Sequence, residues 1–500
     1  MGKLKRNKCF IIGFIIALIV GIVFCLSKRT FNVDEPLSYA LANAPGGWVI
    51  YEPNGWVQKS IFSNFAVMGK PFNYAQVYLN QVYDVHPPLY YYILHTIASL
   101  KPGSFSVWYG LGINFISYIF NSCILYFFTK KISKNDILSL LVMLFYVLNS
   151  TIISESLLFI RMYQLVSSFV LVMIIAIYHI LIDDKCNKIW FVFLFCSILL
   201  GGLTHYYFYI ILFLACIIST IYLLVKKEYK KLLISAVLVL LAFGINCILF
   251  PAVFKHLFAS GHGQKAISSI SAHHLNIENL LGYVKNFVLG EWMFYGGILI
   301  LIIAFVKGVR KNKTALLLSA SFALSYYMYC FIVSQISNYI TSRYIVPMSP
   351  VYFAFFAICL YEVFKSKHNI VAYSFLSFLI IINFQSAVKI IHNINTKPSW
   401  KFAEENQYKV AVVITEDEYP TYCVNTVFAD LRWYLATGIT QLSHGFDNEI
   451  EKDFILYLQK ELDLSITEEY LKRNVSEAIS IKKVDNVITS FFNVYYVSVE

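Results

Sequence analysis

Two short stretches carry residue types suited to chemistry on an anionic substrate. The first is "NVDEPL", with the adjacent carboxylates Asp34 and Glu35. The second is "DVHPPLYYYILH", which sets Asp84 and His86 before two prolines. A carboxylate can take a proton from an attacking hydroxyl. A histidine at the start of a helix, beside N–H groups left over at its first turn, suits an anion. Plainer roles stand beside these. Asp34 could simply cap the helix that Pro36 opens, and most lone histidines are structural. Pro87 and Pro88 suit the first turn of a helix, where a missing N–H costs nothing.

Three further stretches place polar groups at comparable positions. "SESLLFIRMYQL" carries Glu155, Arg161 and Tyr163; "GGLTHYYFYIIL" carries His205 and Tyr206; "NYITSRYIVPMSP" carries Arg343 and Tyr344. A guanidinium is a planar fork of donors that matches phosphate oxygens. Arg161 could also snorkel to an interface, and His205 could serve packing as readily as a site. His262, His273 and His274 follow no zinc-ligand spacing, so no metal site is expected. The glycines of that loop suit a lid over the site.

What must position these groups is a membrane. Of 500 residues, 58% are hydrophobic and 14% charged, against about 25% charged in soluble domains. Eleven apolar runs approach the roughly 20 residues a span requires. They lie near 9–26, 105–129, 136–153, 162–181, 189–204, 206–225, 232–251, 294–306, 314–333, 346–364 and 370–390, the eighth beginning earlier, near Trp292. The first follows "MGKLKRNK" with no small-residue cleavage site and reads as a retained signal anchor. "PPLYYYILHTIASL" is short for a span and suits the interface, with Tyr90, Tyr91 and Tyr92 as belt aromatics.

Short loops on one side carry 19 Lys and Arg, and those on the other carry five. The positive-inside bias then makes the N-terminus cytoplasmic and every polar cluster above extracytoplasmic. Residues 1–390 form a transmembrane domain whose first outer loop, 27–104, holds interfacial helices. Residues 391–500 form a small extracytoplasmic α/β domain with 17 acids against 10 Lys and Arg, a balance that reads as a solvated surface. In it "KVAVVITED" and "FFNVYYVSVE" read as strands, and "FADLRWYLATG" and "EIEKDFILYLQKEL" as helices. The ten cysteines are scattered, with one, Cys423, in the outer soluble part, so a disulfide framework is not expected.

The "DE" pair after the first span, followed about 50 residues later by "DVHPPL", resembles the protein O-mannosyltransferase family and its bacterial relatives, including the aminoarabinose transferase of lipid A. "RMYQL" and "RYIVPMSP" are similar to stretches in bacterial members of this C-type group of membrane glycosyltransferases, and the likeness spans roughly residues 1–390. The resemblance implies a polytopic α-helical enzyme of the cell membrane and envelope. Such an enzyme moves a sugar from a polyprenyl phosphate to an acceptor hydroxyl on the outer face, with inversion and without a nucleotide sugar. It implies Asp34 as catalytic base, with Glu35 beside it, and Asp84 and His86 near the substrate headgroup. Arg161, Tyr163, His205, Tyr206, Arg343 and Tyr344 complete the expected substrate-binding set. The acceptor would be a glycan, a lipid or a protein. The basic residue that follows "HPPL" in the mannosyltransferases is replaced by Tyr90 and Tyr91, and no MIR-type module follows; both count against a protein acceptor.

No cofactor is required by this chemistry. A divalent ion would fit it, but the acids are adjacent rather than a spaced D-x-D. No nucleic-acid partner is expected. The competing class is a transporter or flippase for lipid-linked glycans. Transporters tend to show repeated halves and polar groups at mid-depth; here the charges gather at one edge and no repeat is visible.

Overall fold

The computed structural model describes residues 8–28, 31–32, 34–47, 55–58, 65–67, 70–183, 187–260, 263–264, 268, 275–337, 339–365, 369–395, 398–406, 408–416, 432–437, 453–487 and 492–499. The histidines His262, His273 and His274 lie outside the described residues. The chain forms two compact units: residues 1–26, 81–93 and 108–390, and residues 27–80, 94–107 and 391–500.

In the first unit, nine helices among the described residues are long and apolar enough to cross a membrane. They are Lys8–Ser27, Trp108–Ser133, Tyr163–Ile182, Tyr207–Val225, Tyr229–Leu249, Glu291–Arg310, Thr314–Ile336, Val346–Phe364 and Asn369–Asn393. A bent pair, Asp136–Val147 and Ser150–Leu157, turns through 48°, and Ile189–Gly202 is a shorter apolar helix. Each of the eleven expected runs coincides with one of these helices, of which nine, or ten with the bent pair taken as one, are long enough to cross a membrane among the described residues. The eighth does begin earlier, at Glu291.

Apolar side chains all round a helix leave its neighbours to decide what is buried. Ser349–Phe364 runs through the centre with residues Ser349 to Tyr361 all buried, while Tyr229–Leu249 buries only Ala242 and Asn246. Small residues permit close approach: a Cβ on Gly21 would meet the Phe115 ring at 2.7 Å. The bend in the third span is a polar construction. Asn149 accepts from Ile152 N–H at 3.1 Å and donates to Val288 O and Asn383 Oδ1, both at 2.9 Å. A π-helical turn, Ile153–Leu157, follows. Such turns recur at functional sites.

The second unit contains a six-stranded sheet. Its strands are β1 (Gly55–Gln58), β2 (Val410–Thr415), β3 (Arg432–Thr437), β4 (Phe454–Gln459), β5 (Ile479–Lys483) and β6 (Phe492–Val499), in the order β1-β3-β2-β4-β6-β5. The three central strands, β3, β2 and β4, are parallel; β1, β6 and β5 join antiparallel. Val412, Ile414, Leu456, Leu458, Leu471 and Val497 pack in one core. Asp463 caps the helix Leu464–Asn474 by accepting from Ser465 N–H at 2.8 Å.

Three expectations are corrected here. The described parts of "FADLRWYLATG" and "EIEKDFILYLQKEL" are β3 and β4, not helices. Both are parallel strands, and Phe454 to Leu458 are all buried. A parallel strand covered on both faces is a continuous apolar run, without the alternation that marks an exposed one. The third correction concerns the belt tyrosines. In the helix Leu89–Ser99, Tyr90 and Tyr91 are fully buried in protein.

Also in this unit, Asn80 donates from Nδ2 to Leu41 O and Ala44 O at 2.9 Å, and Asn43 donates to Phe65 O at 2.8 Å. These bonds anchor the helix Asp34–Asn43 that carries the acidic pair.

Candidate active site

The turn between the helices Tyr74–Tyr83 and Leu89–Ser99 presents Asp84 and His86. The first proline removes a donor and the second starts the helix: Pro88 O accepts from Tyr92 N–H at 2.9 Å. The first free amide, Leu89 N–H, donates across to Leu203 O at 2.9 Å, so this turn is tied to the 203–206 turn. His86 Nδ1 meets Asp84 Oδ2 at 2.6 Å. Burial alone would raise the Asp84 carboxyl; the charge of His86, its hydrogen bond and the charge of Arg161 outweigh that and hold it at about 2.

Arg161 is buried and donates from Nη1 to the Tyr91 hydroxyl at 2.8 Å. It lies between the π turn and the helix Tyr163–Ile182, in a tight turn where its N–H donates to Phe159 O at 2.7 Å. Arg343 reaches the same turn from the short helix Ser342–Tyr344: its guanidinium carbon stands 4.9 Å from the Phe159 ring centre and 5.6 Å from that of Tyr344. Cation–π contact accounts for that seat.

His205 joins the two groups. Its ring is 6.3 Å from that of His86 and 5.3 Å from that of Tyr163. Tyr163 is in turn 6.1 Å from Tyr344. Burial, with the nearby charges of His86 and Arg161, pushes the His205 imidazole down to about 3. It is therefore neutral, and its tautomer is fixed. Nδ1 accepts from Tyr207 N–H at 3.1 Å, which leaves the proton on Nε2 as a donor.

Tyr206 faces elsewhere. Its hydroxyl lies 2.8 Å from His256 Nδ1, and His256 Nε2 donates to Val82 O at 3.2 Å. The carbonyl requires the proton on Nε2, so the phenol donates to Nδ1. Pro87, Leu203 and Tyr206 also line a small cavity with Gly202, Tyr209 and Asn246.

Asp84, His86, Arg161, Tyr163, His205, Arg343 and Tyr344 thus form one cluster within the first unit, with Tyr206 at its back. Tyr91 and His256 belong to it and were not foreseen. The sequence marks Tyr91 only as a belt aromatic standing where the mannosyltransferases carry a basic residue, and His256 not at all, because each is defined by a partner 70 or 50 residues away.

Asp34 and Glu35 belong to the second unit. Glu35 is almost fully buried, its carboxylate 2.8 Å from Lys28 Nζ, and it accepts the Asn32 N–H at 2.5 Å. Asn32 Oδ1 accepts from Asp34 N–H at 3.2 Å. This reciprocal arrangement is a capping device, in which Glu35 is a structural anchor and Asp34 is the half-buried acid at the helix start. Among the described residues no three His, Cys, Asp or Glu side chains gather as a metal site.

No protein-family model matches the sequence, and no curated protein is significantly similar to it. Solved structures do match. ArnT from Cupriavidus metallidurans bound to undecaprenyl phosphate aligns with a TM-score of 0.56 and 11% identity over 98% of both chains. Its apo state aligns at 0.53 and 10% over the same shares. The chain has the fold seen in ArnT. It is a multi-pass helical protein with a small C-terminal sheet domain, as the sequence indicated.

Proposed function

We propose that the chain is a membrane glycosyltransferase that moves a sugar from a polyprenyl-phosphate donor to an acceptor hydroxyl on the outer face, with inversion. The observation that carries this reading is the meeting of Arg161 and Arg343 on the Phe159 turn, with His205 and the Asp84–His86 pair beside them. Two guanidinium groups gathered at one turn offer the planar donor forks that match phosphate oxygens. The undecaprenyl phosphate bound by ArnT is a partner of that class.

In the proposed reaction the acceptor oxygen attacks the anomeric carbon, and Asp34 takes its proton. The new C–O bond forms as the bond from that carbon to the phosphate oxygen breaks, and polyprenyl phosphate leaves with the electron pair. Arg161, Arg343, His86 and the Nε2–H of His205 stabilise the charge that develops on the phosphate; preplaced donors lower such a barrier. Asp84 holds His86 in place. Tyr163 and Tyr344 wall the site, and Tyr206 braces it through His256. One displacement inverts the centre, unlike the two-step retaining route. The positive-inside bias supports a cytoplasmic N-terminus and an extracytoplasmic C-terminal domain.

The test is purified protein with synthetic polyprenyl-phospho-sugars and a panel of glycan, lipid and peptide acceptors. Release of polyprenyl phosphate coupled to sugar transfer is expected. Movement of intact donor across a vesicle membrane without bond cleavage would replace this reading with a flippase.

A further inference from the structure

Asn114 sits on the helix Trp108–Ser133 and is fully buried. Its Nδ2 donates to three carbonyls of one turn: Ser156 O at 3.1 Å, Leu157 O at 3.3 Å and Phe159 O at 2.7 Å. These are the carbonyls released where the π turn unwinds, just before Arg161. From the other side Gln164, also fully buried, bonds the Ser156 hydroxyl through Oε1 and donates from Nε2 to the Tyr146 hydroxyl at 2.5 Å. Phe159, whose carbonyl takes the shortest of the Asn114 bonds, accepts the Arg161 N–H through the same oxygen and carries Arg343 on its ring. One side chain therefore fixes the turn that leads into Arg161 and carries the ring against which Arg343 packs.

The same asparagine is a poor choice for packing alone. Its Oδ1 is buried with no hydrogen-bond partner among the described residues. A leucine would fill the space without that cost. Irregular backbone within a membrane protein needs its freed carbonyls satisfied from elsewhere, and here the amide of Asn114 does so.

We propose that Asn114 is a positioning residue for donor-phosphate recognition, acting through the Ser156–Phe159 turn to hold Arg161 and Arg343 at their working separation. The inference rests on the reading of these arginines as the phosphate site.

The experiment measures binding of synthetic undecaprenyl phosphate to the purified full chain in detergent, for wild type, Arg161→Ala, Asn114→Leu, Asn121→Leu and the double variant Asn114→Leu/Arg161→Ala. Asn121 is the internal control. It lies on the same helix, is equally buried and also has a partnerless Oδ1, but its Nδ2 bonds the Tyr146 hydroxyl at 3.3 Å rather than the turn. Asn114→Leu is expected to weaken binding by about ten- to a hundredfold, the scale of a misplaced positioning group. Asn121→Leu, which reaches the turn only through Tyr146 and Gln164, should weaken binding far less than Asn114→Leu. In the Arg161→Ala background, Asn114→Leu should add less than it costs in wild type, leaving only the share carried by Arg343, since residues acting through one another are not additive. Equal losses in the two leucine variants, or full additivity in the double variant, would overturn the proposal. Unchanged binding in Arg161→Ala would overturn the phosphate-site reading itself, and the proposal with it, in a separate arm. Thermal melting of each variant separates loss of fold from loss of site. Should Asn114→Leu not fold, Asn114→Ala, which removes the same three bonds without added bulk, carries the same expectation and the same contrary outcome.

Discussion

Arg161 gives a buried hydrogen bond to Tyr91 at 2.8 Å, joining the turn after the third span to the helix opened by Pro87 and Pro88. The phenol is an uncharged partner. It fixes the direction of the guanidinium within the cluster. Arg161→Ala should reduce transfer by about 10²- to 10³-fold, the range for loss of a preorganised donor to a developing oxyanion. Arg161→Lys should not restore it, because a point charge lacks the planar fork. Tyr91→Phe should cost about tenfold, as expected for one hydrogen bond to a charged group. Initial rates at saturating acceptor test the series, and wild-type rates in Arg161→Lys would remove the fork from the mechanism.

The two adjacent acids should separate cleanly. Asp34→Asn is expected to abolish transfer while the protein still accumulates in the membrane. Glu35→Gln should instead lower thermal stability, because it leaves Lys28 buried beside a neutral amide. Breaking one side of a buried ion pair costs about 3–5 kcal/mol. Rates normalised to folded protein, with melting curves alongside, distinguish the two. Near-normal transfer by Asp34→Asn would exclude it as the base.

Acid should destabilise the cluster in two overlapping windows. The fold holds His205 neutral, with its pKa at about 3 against an ordinary 6.5. Its contribution is complete above pH 6.5, shrinks as pH falls from 6.5 to 3, and is gone below. Asp84 lies at about 2 against an ordinary 3.8. Its contribution is complete above 3.8 and is lost as pH falls through 2. His256, also lowered by burial, adds in the His205 direction. Melting temperatures between pH 7 and 4 should fall in wild type and fall less steeply in His205→Gln. Identical slopes would remove His205 from the acid response.

Two glycines should respond oppositely to the same substitution. A Cβ at Gly202 would run into the Asn246 amide and the Tyr209 hydroxyl, whereas one at Gly244 meets nothing within 4 Å. Gly202→Ala should destabilise by about 1–3 kcal/mol through overpacking. Gly244→Ala, in a helix interior, should stabilise by about 0.5–1 kcal/mol through reduced backbone freedom. Parallel thermal melts in one detergent decide both signs.

The membrane part was readable because a span needs only length and apolarity, and the runs ending at Leu26 or beginning near Trp292 declare both. The bend at Asn149 was not. It depends on Val288 and Asn383, more than 100 residues away in sequence. Strand β4 read as a helix because a doubly covered strand loses its alternation. At the site, Asp84, His86, Arg161, His205 and Arg343 stood out as polar groups at a membrane edge. Tyr91 did not, since a tyrosine at an interface and one buried against an arginine look alike in sequence. Glu35 looked like Asp34's equal until Lys28 and Asn32 were seen to occupy it.

The sheet of the second unit is sewn from chain segments made at very different times. Gly55–Gln58 lines up antiparallel with Arg432–Thr437, so residue 55 stands opposite residue 435. The ribosome delivers the earlier segment before any helix from Trp108 onward exists, and it must wait for the last fifth of the chain to find its neighbour. A C-terminal fragment produced alone would lack that border and expose the ladder of β3, an invitation to associate edge to edge. Maturation of this sheet is thereby made to wait for synthesis of residues 432–435.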